Sequence, residues 1–242
     1  MKKVFFIIAV FTLIIVLYAW RSFSHASANE VHLTAIGDSI TFGTGDPERK
    51  GYIGRVKEKF LVEKNIAVEV TNFAIPRYTT DNTLVQLEDK RIRKQFGKAD
   101  YIILYIGTND FRRSAEYRFG QLDGKKMQLG KEHFSRNLHT ILDKIRQENN
   151  AAPILVLGLY HPYVEYPNEQ EIREFIQQWN QEIAFCAAQY ERTFFVPVLD
   201  LFISQKKQDY FSDKIHLNSA GYQLMAERVY EHLLLVEEKA GS

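Results

Sequence analysis

A single cysteine, Cys186, is all that this 242-residue chain contains, so no intramolecular disulfide can form and a disulfide-stapled mini-domain is excluded. Glycine and proline are sparse, at 13 and 6 residues, and no repeat or low-complexity tract is present. A collagen-like fibre is excluded on that ground. An excess of either charge is missing too: 31 Lys and Arg face 30 Asp and Glu, for a formal net charge of +1. With 45% hydrophobic and 25% charged residues the chain is globular rather than disordered, and long enough to bury a substantial core.

What the chain does have is a very uneven N-terminus. Lys2 and Lys3 precede an apolar run over residues 4–20, broken only by Thr12, and Arg21 then leads to Ala26-Ser27-Ala28. A basic start, an apolar stretch and an A-x-A ending match a secretory signal peptide cleaved after Ala28. A run of 17 residues is also at the lower limit for crossing a bilayer, so an uncleaved signal anchor is the rival expectation. Both put the lysines in the cytoplasm and the rest outside, secreted or tethered to the outer face of the membrane. No cysteine lies near this end to take a lipid. Without residues 1–28 the chain carries 28 basic against 30 acidic residues, a net charge of −2. Nucleic acid is therefore not an expected partner, since affinity for it rests on clustered Lys and Arg. The short basic runs at 90–94 and at Arg112-Arg113 read as solvated helix and loop surface.

In the exported part, short apolar, β-branched segments recur at 31–36, 67–73, 101–106, 154–159 and 194–199. They read as strands buried on both faces. Helical patterns fill the gaps at 52–63, 81–96, 131–149, 169–190 and 219–236. Strand and helix alternating five times predict one domain, residues 29–242, built as a three-layer α/β/α sandwich around a five-stranded parallel sheet. Two connections are longer than such a fold requires and leave the carboxyl ends of strands, where ligands of open α/β sheets bind. Residues 111–130 hold Arg112, Arg113, Tyr117 and Arg118; residues 160–168 hold Tyr160, His161, Tyr163 and Tyr166. Tyr160, His161 and Tyr163 are candidates to line a pocket, although for His161 a surface histidine is the better reading.

Three short motifs fall at that edge or just before the last helix. Gly37-Asp38-Ser39 ends the first strand and presents a hydroxyl, which needs a base before it can act as a nucleophile. Asp213-Lys214-Ile215-His216 can fold so that the carboxylate holds one ring nitrogen and leaves the other free to take a proton. Gly107-Thr108-Asn109-Asp110 ends the third strand and offers the Asn109 amide, beside the Ser39 backbone N–H, to a developing oxyanion. Taken singly, each is an ordinary turn or helix entry. The histidines show no ligand-like spacing, so no metal is expected. Cys186, in an amphipathic helix, reads as a small core residue.

Together and in this order, Gly37-Asp38-Ser39-Ile40, Gly107-Thr108-Asn109-Asp110 and Asp213 to Tyr222 resemble the motif blocks of the GDSL, or SGNH, hydrolase superfamily across the exported domain. The resemblance implies a flavodoxin-like fold that hydrolyses esters or thioesters without metal or cofactor. It implies Ser39 as nucleophile, His216 and Asp213 as its partners, and Ser39 N–H, Asn109 and a block-two glycine N–H as oxyanion donors. That glycine is Arg77 here, in Asn72 to Thr80. Arginine keeps the N–H but resists positive φ; facing the pocket its cation would favour anionic substrates, and a side chain directed to solvent is the equal alternative. The expectation is an exported esterase acting on acylated lipids or glycans, its activity falling as His216 is protonated in acid. A silent binding module and an acyltransferase using an acceptor other than water are the alternatives.

Overall fold

The computed structural model describes residues 31–203 and 205–241, so the signal or anchor expected over residues 1–28 lies outside the described residues. Five strands, β1 (Val31–Gly37), β2 (Val68–Asn72), β3 (Tyr101–Tyr105), β4 (Ile154–Leu157) and β5 (Thr193–Val196), form one all-parallel sheet in the order β2-β1-β3-β4-β5. The central strands are as apolar as their sequences suggest: Leu33, Ala35, Ile36, Ile102, Ile103, Leu104 and all of β4 are buried. The outer strand β2 departs from the expected pattern. Glu69 and Asn72 are exposed, because only one side of this edge has a neighbour.

Helices cover both faces. The helices α1 (Ser39–Phe42), α2 (Gly51–Lys64), α3 (Thr80–Gln86), α4 (Lys90–Phe96), α5 (Thr108–Ser114), α6 (Gly124–Glu148), α7 (Glu169–Ala188), α8 (Asp200–Ile203), α9 (Lys207–Tyr210) and α10 (Ser219–Gly241) follow in order. α2 packs with α10 in one layer, and α6 packs with α3, α4, α5 and α7 in the other. No described helix is long and apolar enough to cross a membrane.

Three boundaries around the site differ from the sequence reading in ways that matter to it. The helix expected over 81–96 is two, because Asp89 accepts from the N–H of Arg91 at 2.8 Å and starts a second helix. The guanidinium of Arg93 then takes up the freed Leu87 carbonyl at 2.7 Å. The helix expected at 131 starts at Gly124, where Asp123 caps the N–H groups of Lys125 and Lys126. Met127 thereby joins Phe134, Leu138, Ile141 and Ile145 on one buried stripe. The long connection expected over 111–130 shrinks to residues 115–123, since its beginning completes α5 and its end opens α6.

Candidate active site

From β1 the chain crosses outward to β2, then returns to β3 on the other side of β1. The crevice left at the carboxyl ends of β1 and β3 is the switch point where α/β sheets bind ligands. Ser39 leaves β1 there and Asn109 leaves β3. Asp38 caps the turn after β1, its Oδ1 accepting from Ile40 N–H at 2.9 Å, and this fixes Ser39 as the first residue of α1. The carboxyl of Asp38 is wholly buried, and burial pushes its pKa up to about 7 against the pull of that N–H.

The loop around 212–217 brings a histidine to the serine. Asp213 Oδ1 accepts from the backbone N–H groups of Ile215 and His216 at 2.8 and 2.7 Å, curling the loop back on itself. Its Oδ2 lies 2.7 Å from His216 Nδ1, and His216 Nε2 lies 3.0 Å from Ser39 Oγ. With Nδ1–H donated to the carboxylate, Nε2 is left to accept from the serine hydroxyl. Burial works against the Asp213 carboxylate, yet these hydrogen bonds from His216 and Ile215 outweigh it and hold its pKa below the ordinary value.

Two buried groups hold this loop against the serine turn. Asp46 accepts from Arg55 Nη1 at 2.5 Å, from Gly51 N–H at 2.8 Å and from Ser219 Oγ at 2.9 Å, so the segment after α1 is tied to the start of α10. These bonds overcome burial and drive its pKa well below the usual carboxylate range. Tyr222 Oη adds a bond to the Thr44 carbonyl at 2.8 Å. Between them Gly45 has φ +92°, and a Cβ there would lie 2.6 Å from the Leu217 carbonyl oxygen and 3.0 Å from His216 Cβ.

Asn109 Nδ2 donates one hydrogen to the Tyr78 carbonyl at 2.9 Å, leaving its second hydrogen for a ligand. Among the described residues neither Ser39 N–H nor Arg77 N–H donates to a protein group. Arg77 has φ +71°, a conformation that costs an ordinary residue about 1–2 kcal/mol, which is why glycine was the residue expected here. The turn survives because its surroundings clamp it. Asn72 bridges Thr41 O and Ala74 N–H, and Asp110 accepts from Thr80 N–H and Oγ1. Burial raises the Asp110 pKa to about 6 despite those Thr80 bonds. Asp110 stood in the third motif without a role; its link to Thr80, 30 residues away, has no signal in the sequence.

Ser39, Asn109, Asp213 and His216 share one cleft of about 590 Å³ with Arg77, Arg112, Arg113, Tyr117, Lys214 and Ile215. Arg112 and Arg113 therefore face the site rather than forming plain loop surface. Tyr160, His161 and Tyr163 do not line the cleft and are all buried. Asn180 is the reason, since its side chain pairs with both backbone groups of Leu159, at 2.6 and 2.8 Å, and turns the loop inward. Tyr163 stacks on Phe119 at 4.0 Å, and His161 lies beneath the surface with Nε2 3.0 Å from Glu169. Tyr160 donates its hydroxyl to the Ile215 carbonyl at 2.5 Å and so braces the histidine loop from behind. Cys186 is buried in α7 as a free thiol. Among the described residues no three His, Cys, Asp or Glu side chains gather to hold a metal ion.

A three-layer α/β/α fold with a serine, a histidine and two carboxyl-edge turns meeting at the switch point defines the SGNH class of hydrolase folds. The chain belongs to the GDSL-like lipase/acylhydrolase family, whose model matches residues 35–224, and it is a GDSL-type hydrolase. It is 30% identical over 214 residues to the YpmR protein of Bacillus subtilis strain 168, covering 86% of this chain and 84% of that one. It is 28% identical over 207 residues to the spore germination lipase LipC of Bacillus licheniformis, covering 81% of this chain and 93% of LipC. The crystal structure of the lipase Lip_vut3 from a goat rumen metagenome superposes with a TM-score of 0.73 at 26% identity, over 82% of this chain and 95% of that one.

Proposed function

We propose that this chain is an exported serine esterase that cleaves carboxylic or thioesters of acylated lipids or glycans through an acyl-enzyme on Ser39. The observation that carries the reading is the relay from Ser39 Oγ to His216 Nε2 at 3.0 Å and from His216 Nδ1 to Asp213 at 2.7 Å. Ser39 Oγ attacks the acyl carbon while His216 Nε2 takes its proton, and Asp213 steadies the imidazolium. The oxygen of the tetrahedral intermediate is met by the N–H groups of Ser39 and Arg77 and the free hydrogen of the Asn109 amide. The ester C–O bond breaks and the alcohol leaves with the proton from His216. Water then attacks the acyl-enzyme, giving its proton to His216, which returns one to Ser39 as the carboxylic acid departs.

The lipase names of LipC and Lip_vut3 favour lipid esters, and the apolar run over 4–20 behind Lys2 and Lys3 favours export. The test is hydrolysis of p-nitrophenyl esters of increasing chain length by the full chain and by Ser39→Ala, with intact mass after a serine-directed phosphonate. A loss of about a thousandfold or more in the variant, with one adduct only in the unaltered chain, is the expected result. No turnover and no adduct from folded protein would overturn it. Cell fractionation and N-terminal sequencing of the native protein test the export.

A further inference from the structure

We propose that the cleft holds an anion subsite built from Arg112 and Arg113, with Arg77 and Lys214 facing it, and that the preferred ester carries a carboxylate or phosphate close to the scissile bond. The proposal rests on the esterase reading of Ser39 and names the substrate class for it. Four cations line the cleft and only one carboxylate does, Asp213, which is committed to His216. Among the described residues none of the four cations forms an ion pair. The carboxylates within their reach are engaged elsewhere. Asp81, whose charge feels Arg113, bonds to Asn137 and His133, and Asp38, which feels Arg112, is buried and holds Ile40 N–H. Like charges held together without counter-charges repel one another, and an incoming anion relieves that repulsion.

The arginines are also held in place. Phe111, buried beside them, packs edge-on to Trp179 at 5.4 Å and stacks with Phe119 and Tyr163, which pins α5 to the core. The chain then turns through two consecutive left-handed residues, Glu116 at φ 50° and Tyr117 at φ 59°, a strained shape that closes on the Arg112 and Arg113 carbonyls through 2.9 Å bonds. That turn sets the Tyr117 ring 5.1 Å from the Arg112 guanidinium, while Arg112 Nε is buried with no hydrogen-bond partner. A guanidinium steadied on an aromatic face needs little further ordering to grip an anion. No residue of the loop over 160–168 lines the cleft, to which Tyr163 contributes only by packing Phe111 from behind, so selectivity resides on the α5 side.

The test compares size-matched esters at low ionic strength. p-Nitrophenyl valerate is neutral and mono-p-nitrophenyl glutarate carries a carboxylate on the acyl side. Glycerol monobutyrate and the butyryl ester of glycerol 3-phosphate, followed by acid release, set the anion on the alcohol side. The full chain is expected to favour one anionic partner by about tenfold or more in kcat/KM, the preference shrinking as salt is raised. Arg112→Gln/Arg113→Gln should bring the ratio close to unity, and Arg112→Lys/Arg113→Lys, a milder change, should retain part of it. Lys57→Gln, on the exposed face of α2, should keep the full ratio. Equal kcat/KM for both members of each pair, or a preference that survives loss of both arginines, would overturn the subsite. Absence of turnover on all four esters would strike at the esterase reading instead. Calorimetry of monomethyl glutarate and of inorganic phosphate with the full-length Ser39→Ala chain then decides the subsite: binding lost with the two arginines supports it, and no binding overturns it.

Discussion

Replacing Gly45 by alanine tests whether the contact between the loop after α1 and the loop before α10 sets the distance between serine and histidine. Gly45 sits at φ +92°, where a Cβ costs about 1–2 kcal/mol. The added methyl also meets Ser212 Oγ, the Leu217 carbonyl oxygen at 2.6 Å and His216 Cβ at 3.0 Å. Overpacking of this kind costs a further ~1–3 kcal/mol. For a domain of this size the sum corresponds to a drop in Tm of about 5–15 °C. Because the groups it strikes belong to the histidine loop, the 3.0 Å bond from His216 Nε2 to Ser39 should open. A displacement of ~1 Å at reacting atoms costs about a hundredfold in rate. The assays are thermal melting and steady-state hydrolysis of a p-nitrophenyl ester by the full chain, together with the rate of phosphonate labelling of Ser39. Adding Ser212→Ala should recover only part of the loss, since the Leu217 carbonyl belongs to the main chain. Wild-type Tm and kcat in Gly45→Ala would refute the reasoning altogether. A lowered Tm with unchanged kcat would refute its catalytic half, leaving the contact purely structural.

Three further outcomes follow from the geometry. The Asp38 carboxyl is raised from 3.8 to about 7, so its contribution to stability is complete below pH 3.8 and is lost as the pH rises towards 7, a swing of roughly 4 kcal/mol. Asp38→Asn should therefore gain in Tm relative to the unaltered chain between pH 4.5 and pH 8, and melts showing a constant difference would contradict this. Arg77→Gly should relieve the strain at φ +71°, partly offset by glycine's greater freedom in the unfolded chain, and raise Tm by about 1–3 °C; a fall in Tm would refute it. Tyr160→Phe removes the bond to the Ile215 carbonyl and should cost about 1 kcal/mol of stability. A brace acting through His216 lowers kcat with little change in KM, whereas a raised KM would mean that Tyr160 touches the substrate after all.

The layout was legible in the sequence because local pattern carries it. Runs such as Ile102-Ile103-Leu104 can be stable only with both faces covered, and the stripe of Phe134, Leu138, Ile141 and Ile145 can cover them only as a helix. Ser39, Asn109, Asp213 and His216 could be singled out because short turns hold each of them, and turn chemistry is written in neighbouring residues. The first motif turn is set by Asp38 and the last by Asp213, both bonding within three residues of themselves. The break between α3 and α4 was equally local in cause, yet Asp89 could be read as one more polar residue of a helix, and only its bond to Arg91 N–H distinguishes the two.

The tertiary structure alone decided everything that depends on partners far apart in the chain. Whether an aromatic loop lines a cleft or fills a core depends on what lies beneath it. For Tyr160, His161 and Tyr163 that was Asn180, 21 residues beyond the Leu159 backbone that it clamps. The strain at Arg77 is tolerated because Asn72 and Asp110 fasten the residues on either side of it, across 31 and 30 positions of sequence. Arg112 and Arg113 read as solvated surface because sequence spacing does not reveal which way a short helix turns its cations. Packing of Phe111 against Trp179 set that direction and made them the wall of the site. Local hydrogen-bonding and hydrophobic period thus determine which elements form and which residues stand at their ends. Long-range packing determines which of those ends meet, and what charge surrounds them when they do.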